Sequence, residues 1–393
     1  VESVYNRRHY ASPTQHQHQE EDVKSELRIG SAVGKPGQIT YGTFEGVPLP
    51  TGGTDDFPVI IAQGKRDGPV LWLTASIHGN EYTGIAVIHR LLRSDVLATL
   101  RGAIVAIPTL NPAGLRVGER RPYYMKLQDP NRLFPAGGKK APAPSFGASD
   151  PDPTPPLEAA YQRLFEQMST SAAYLIDLHN YSLHSVPFAF RDPIGYTDEH
   201  DKASARQLQH TMDKLLQAFG HTIVNEYATT DYLKRNLHRS VSGALLNVAR
   251  IPAFTVELGG YLSVDPAIVG ACCAGIRNVL RFAGMLNGAV EPITGVKLIA
   301  PGHAIRRMQH PHAPASGIVE FFVKSGDALK RGDAVGRISD IFGRPLGTKE
   351  GLITSDHDGV VLGVAQGAAF YMGESLLSLG VRDDSDLLVP FLT

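Results

Sequence analysis

Along the first three quarters of the chain, short unbroken apolar runs alternate with segments whose apolar residues recur every three or four positions. The runs at 69–77 (PVLWLTASI), 102–110 (GAIVAIPTL), 173–180 (AYLIDLHN) and 251–260 (IPAFTVELGG) are rich in Val, Ile and Leu and lack the polar alternation of a half-solvated strand. That texture predicts strands buried on both faces of a mostly parallel sheet. Two further runs, 25–33 and 56–64, predict the first strands of the fold. Segments 83–92, 157–168, 205–218 and 267–286 carry the helical period. Strands alternating with helices predict an α/β architecture, a mixed, mostly parallel sheet flanked by helices.

The two ends of the chain differ from this pattern. Residues 1–27 are polar and aperiodic, as expected of a mobile N-terminal tail, and residues 28–290 form the expected main domain. From 291 to 393 the chain turns to short strands between glycine turns, which predicts a small C-terminal β domain. Its SGDALKRGD turns resemble the barrel-sandwich fold of lipoyl and biotinyl carriers. Asp340-Ile341-Phe342-Gly343-Arg344 stands where a carrier has its modified lysine hairpin, so covalent cofactor attachment is not expected. Between 129 and 156 Pro and Gly crowd together, predicting a long loop whose first half lines a site.

Composition narrows the partners. Lys plus Arg (38) balances Asp plus Glu (39) without a basic run, so no electrostatic footprint for a nucleic acid or an anionic membrane is present. A small-molecule substrate is the expected partner, and a homo-oligomer is compatible with this surface. Cys272 and Cys273 are neighbours in a predicted helix, where disulfide geometry is out of reach. No apolar stretch reaches 18 residues and the N-terminus is not built like a secretory signal; a cytoplasmic protein is expected, although the sequence begins at Val1.

Candidate chemistry gathers at the ends of the predicted strands. His78 and Glu81 in HGNE follow the first run, and His179 closes the third. Two histidines and a carboxylate are the inventory of a catalytic zinc site with one coordination position left for water. Spacing alone decides nothing, since His18 and Glu21 repeat His-x-x-Glu inside a polar stretch with no apolar period. Position decides, because open α/β sheets place ligand sites outside the carboxyl ends of their strands.

Asp177 shares a strand face with His179 and reads either as a partner of that histidine or as a buried structural carboxylate. Glu257 closes the fourth run; a lone carboxylate there is costly unless a cation is near, which suits a general base beside a metal. Arg120, Arg121, Asn131 and Arg132 follow in an irregular region, and arginine forks suit carboxylates and developing oxyanions. His310 and His312, flanking Pro311, read as exposed loop histidines rather than a second metal site.

Taken together, HGNE, NPAGLRVGER, DPNRLFP, LIDLHN and TVELGG resemble the zinc carboxypeptidase superfamily, and within it the succinylglutamate desuccinylase/aspartoacylase family, in order and spacing from about residue 55 to 285. The resemblance implies a zinc-carboxypeptidase-like fold and one Zn2+ per chain on His78, Glu81 and His179. It implies Glu257 as base and proton shuttle and Arg120, nine residues after Asn111, as the polarising arginine, with Arg121 as its fallback. Asn131 and Arg132 match the pair that holds the substrate carboxylate.

The implied reaction is zinc-dependent hydrolysis of the amide of an N-acyl amino acid; bacterial members with this pairing of domains act on acetylated diamino acids. Pro130 departs from the leucine usual at its position. The alternatives are a metallocarboxypeptidase, for which Tyr232 would be the proton donor, and a non-catalytic zinc- or ligand-binding homologue.

Overall fold

In the computed structural model, residues 26–93, 95–125, 128–137, 154–181 and 184–390 are described. The decoy pair His18 and Glu21, and most of the loop expected at 129–156, lie outside them. The central sheet contains β1 (Gln38–Pro48), β2 (Thr54–Gln63), β3 (Arg66–Ala75), β4 (Arg101–Ile107), β5 (Tyr174–His179), β6 (Phe188–Arg191), β7 (Thr222–Asn225) and β8 (Ala253–Glu257). It continues into the C-terminal segment as β9 (Ile305–Gln309), β10 (Ala328–Leu329), β11 (Gly359–Val364) and β12 (Leu377–Arg382). The order across the sheet is β10-β11-β12-β9-β7-β6-β8-β5-β3-β4-β2-β1.

β4, β3, β5 and β8 run parallel, whereas β8 pairs with β6 antiparallel. The four runs expected to be buried on both faces supply these four strands. Trp72, Leu73, Val105, Ile176 and Val256 have no more than trace exposure, because helices cover both sides of the sheet.

The helices follow the sequence period closely. α1 (Thr83–Leu92) has the expected bounds. α2 (Pro156–Ser171) and α3 (Glu199–Phe219) extend beyond theirs. The polar first turn of α3 hides its start from an apolar-period reading, and the Asp198 side chain caps it by accepting from Asp201 N at 2.8 Å. α4 (Pro266–Phe282) stops short of the expected 286, where Gly284 takes φ +68°.

The C-terminal β segment has its own apolar cluster, including Val319, Val335, Ile338, Val361 and Leu379. A four-stranded sheet within it orders Leu352–Thr354, Ala334–Ser339, Gly317–Phe321 and Ala369–Phe370. The segment does not stand apart from the rest: β9 pairs with β7 through Asn225 and Arg306, carrying the central sheet across. That junction brings a C-terminal strand to the wall of the main cavity.

Candidate metal centre

The parallel pairing of β5 with β8 sets Glu257 in register with His179, both at the carboxyl ends of their strands. Side chains in register on parallel neighbours emerge on the same face, so the two groups are delivered together. β3 ends at Ala75, and the chain turns through Ser76, a non-glycine residue at φ +49°, to present His78 and Glu81 at the same edge. Gly79 lets this turn lie against the Asn111–Gly118 loop: a Cβ there would stand 2.1 Å from the Gly114 carbonyl carbon.

Asn180 ties three motifs into one unit. Its backbone N–H donates to Glu81 Oε2 at 3.1 Å, and its Oδ1 accepts from Thr83 N, capping α1 from outside the helix. Its Nδ2 donates to the carbonyls of Leu258 and Gly260 at 3.1 and 2.6 Å. No chemical role marks this residue in the sequence; its place directly after the strand-closing His179 was the available signal.

His78 Nδ1 lies 2.7 Å from Glu81 Oε1, and His179 Nδ1 lies 2.9 Å from Glu81 Oε2. The other ring nitrogens are occupied: His78 Nε2 is 2.9 Å from Asp129 Oδ1, and His179 Nε2 is 2.8 Å from Asp177 Oδ2. Both Nδ1 atoms therefore converge on one carboxylate while a second carboxylate orients each ring from behind, the arrangement of histidines that ligate a metal. Among the described residues, His78, Glu81 and His179 form the group whose ligand atoms lie close enough together to hold a metal ion.

The electrostatics favour a cation at this point. Burial opposes the charge on Glu81, but His78 and His179 outweigh it and hold the carboxyl far below its ordinary range. Burial likewise opposes charging of His179, yet Asp177 and Glu81 raise its proton affinity well above normal. Asp129 is also held low by His78 and Arg120 against its own burial. The donor set, two imidazoles and a carboxylate, fits zinc.

All seven residues singled out in the sequence, His78, Glu81, Arg120, Asn131, Arg132, His179 and Glu257, line one cavity of about 300 Å³. Burial pushes the Glu257 carboxyl up to about 7, and its Oε2 has no hydrogen-bond partner among the described residues. Arg120 is half-exposed; its guanidinium reaches Asp129 at 2.7 Å and Glu81 at 3.5 Å. Arg121 is exposed and does not line the cavity. Asn131 Oδ1 accepts from Val241 N at 2.9 Å while Nδ2 lies 3.3 Å from His179 Nε2, and Arg132 Nε donates to the Arg235 carbonyl at 2.8 Å.

Asp177 fills both of the roles open to it, since Oδ1 accepts from Thr74 Oγ1 at 2.7 Å while Oδ2 meets His179. Tyr232 is fully buried with its hydroxyl donating to Asp192 Oδ2 at 3.0 Å, and it does not line the cavity. A proton donor at that position has no route to the site. Sequence reasoning also missed Asp129, Asp192, Glu226 and Arg307. Asp129 could have been found, because Asp before Pro-Asn signals an Asx cap, and it does accept from Asn131 N at 2.9 Å.

Fold and site together define an α/β protein whose sheet edge carries a triad able to hold a metal ion. Residues 67–283 match the succinylglutamate desuccinylase/aspartoacylase catalytic domain, more than half of the chain, so the chain belongs to that family. A curated relative, the N-alpha-acetyl-L-2,4-diaminobutyric acid deacetylase of Halomonas elongata, is 24% identical over 322 residues, covering 81% of this chain and 84% of its own.

Two solved structures share the fold. A succinylglutamate desuccinylase/aspartoacylase from Rhodobacter sphaeroides superposes with a TM-score of 0.66 at 21% identity, covering 88% of this chain and 96% of its own. The product-bound ectoine utilization protein EutE (DoeB) of Ruegeria pomeroyi does so with a TM-score of 0.66 at 20% identity, covering 87% and 95%.

Proposed function

We propose that the protein is a zinc-dependent hydrolase of the amide bond in N-acyl amino acids, releasing a carboxylic acid and a free amine. The observation that carries this reading is the convergence of His78 Nδ1, His179 Nδ1 and Glu81 beside an in-register Glu257 whose Oε2 is buried and unpartnered. Zinc, when bound, supplies Lewis-acid chemistry, acidifying water and polarising a carbonyl at this point. Glu257 takes the proton of the attacking water on its carboxylate and passes it to the departing nitrogen. A carboxyl raised to about 7 by burial suits both halves of that transfer.

Arg120, held in place by Asp129, faces the oxyanion that develops on the acyl carbon. Arg132 and the Asn131 amide nitrogen hold the amino-acid carboxylate and fix the scissile bond against Glu257. Family membership and the deacetylase relative support the acyl amino acid class.

The test is incubation of zinc-loaded protein with a panel of N-acyl amino acids and dipeptides, with product release followed by NMR. Amine release from acyl amino acids but not from peptides is expected. Cleavage of C-terminal residues from peptides, or equal turnover after the metal is chelated, would reject the reading.

A further inference from the structure

The cavity has a second row of charges that the amide chemistry does not use. β6 and β7 are parallel, with Arg191 opposite Asn225, so the next residues, Asp192 and Glu226, stand side by side. β7 and β9 are parallel with Asn225 opposite Arg306, which sets Arg307 next in the same row. All three line the cavity, and all three are largely buried.

Arg307 is committed within the row. Its Nε lies 2.5 Å from Glu226 Oε1, and its guanidinium is sandwiched between Phe190 at 4.5 Å and Tyr227 at 4.1 Å. Two carboxylates thus share one fixed cation. Asp192 receives only the Tyr232 hydroxyl, on Oδ2, and among the described residues neither Asp192 Oδ1 nor Glu226 Oε2 accepts a hydrogen bond. Burial, then the neighbouring Glu226, pushes the Asp192 carboxyl up to about 7, the mark of a negative charge without its counter-charge.

The row also lies at a definite distance from the chemistry. β6 is antiparallel to β8, with Phe188 opposite Glu257. Asp192 is four residues further on, about 13 Å along the strand direction before either side chain reaches inward. Arg132 is near enough to act on the charge of Asp192. The row therefore flanks the amino-acid half of a substrate anchored on Arg132, not its acyl half.

We propose that Asp192, supported by Glu226 and the Arg307 that orients it, is the specificity-determining site for a cationic side chain, so that the favoured substrates are Nα-acyl diamino acids. This rests on the deacylase reading above and adds to it the residues that select the amine. The side-chain ammonium donates to Asp192 Oδ1 and Glu226 Oε2 while the α-carboxylate lies on Arg132, and a neutral or acidic side chain leaves the excess carboxylate without a counter-ion.

The experiment compares kcat/KM of the zinc-loaded protein for Nα-acetyl-2,4-diaminobutyrate and Nα-acetylornithine with their neutral counterparts, Nα-acetylnorvaline and Nα-acetylnorleucine, and with Nα-acetylglutamate. An ammonium-bearing substrate is expected to be favoured by about ten- to a hundredfold over its neutral counterpart, and Asp192→Asn to remove most of that ratio. Equal or better turnover of the neutral or acidic substrates overturns the inference while leaving the deacylase standing. A parallel loss on every substrate in Asp192→Asn makes Asp192 structural and also overturns it. No turnover of any member of the panel overturns the deacylase reading itself, and the inference with it.

Discussion

At the residue scale, chemistry and support separate cleanly. Glu257 holds no metal-facing position in the triad, so Glu257→Gln is expected to keep stoichiometric zinc, measured by elemental analysis, while kcat falls by about 10²–10⁴. Retention of substantial turnover would dismiss Glu257 as the base. Asp177 acts only through the His179 ring, and Asp177→Asn is expected to weaken zinc binding by about 10–100-fold in a competitive chelator titration. Unchanged affinity would show that the His179 orientation does not depend on it. Gly79 illustrates a residue whose value is the absence of a side chain, since its backbone lies against Gly114 where no Cβ fits.

At the element scale, the site depends on how α1, β5 and β8 are fastened together. Asn180 links all three, and Asn180→Ala leaves the Thr83 amide and two carbonyls without that partner. A loss of about 1–3 kcal/mol in urea unfolding is expected.

A second element junction carries a pH signature. His221 follows α3 and stacks on Phe219 with ring centroids 4.3 Å apart, and its Nε2 is buried without a partner. Burial lowers its pKa from 6.5 to about 4, so the folded protein holds it neutral. That contribution to stability is present above about pH 6.5 and is lost as pH falls toward 4, amounting to about 3 kcal/mol. The melting temperature of His221→Phe is therefore expected to fall less steeply than that of the unaltered protein between pH 7 and 4.5; parallel curves would exclude His221 as a source of acid sensitivity.

At the scale of the whole molecule, the C-terminal β segment is part of the cavity wall. Arg307 on β9 reaches across to Glu226 and packs between Phe190 and Tyr227, and Arg306 pairs with Asp383 at 2.7 Å. Arg307→Met strands a buried carboxylate and is expected to cost about 3–5 kcal/mol in chemical denaturation. Adding Glu226→Gln removes the stranded charge and should recover part of that loss; strict additivity of the two changes would mean that the pair is not coupled. Among the described residues, no helix is long and apolar enough to cross a membrane.

Much of the fold was legible in local pattern, because burial on both faces writes itself as unbroken apolar runs and helix packing as a three-to-four period. α1 has the bounds that pattern predicts, and the runs closing in His179 and Glu257 are the strands that carry them. The seven candidate residues share one cavity because each lies at or just after a strand end, a place the sequence itself marks. Asp192, Glu226 and Arg307 lie at strand ends as well, but their strands are four or five residues long and join across the boundary to the C-terminal segment. Nothing in a linear reading says that Arg307 sits beside Glu226, 81 positions earlier; the parallel pairing of β7 with β9 decides it. Local sequence thus determined the elements and the chemistry at their ends. Tertiary strand order decided which of those ends meet, because hydrogen-bonded neighbours in a sheet are chosen by the packing of the whole chain and not by any one segment.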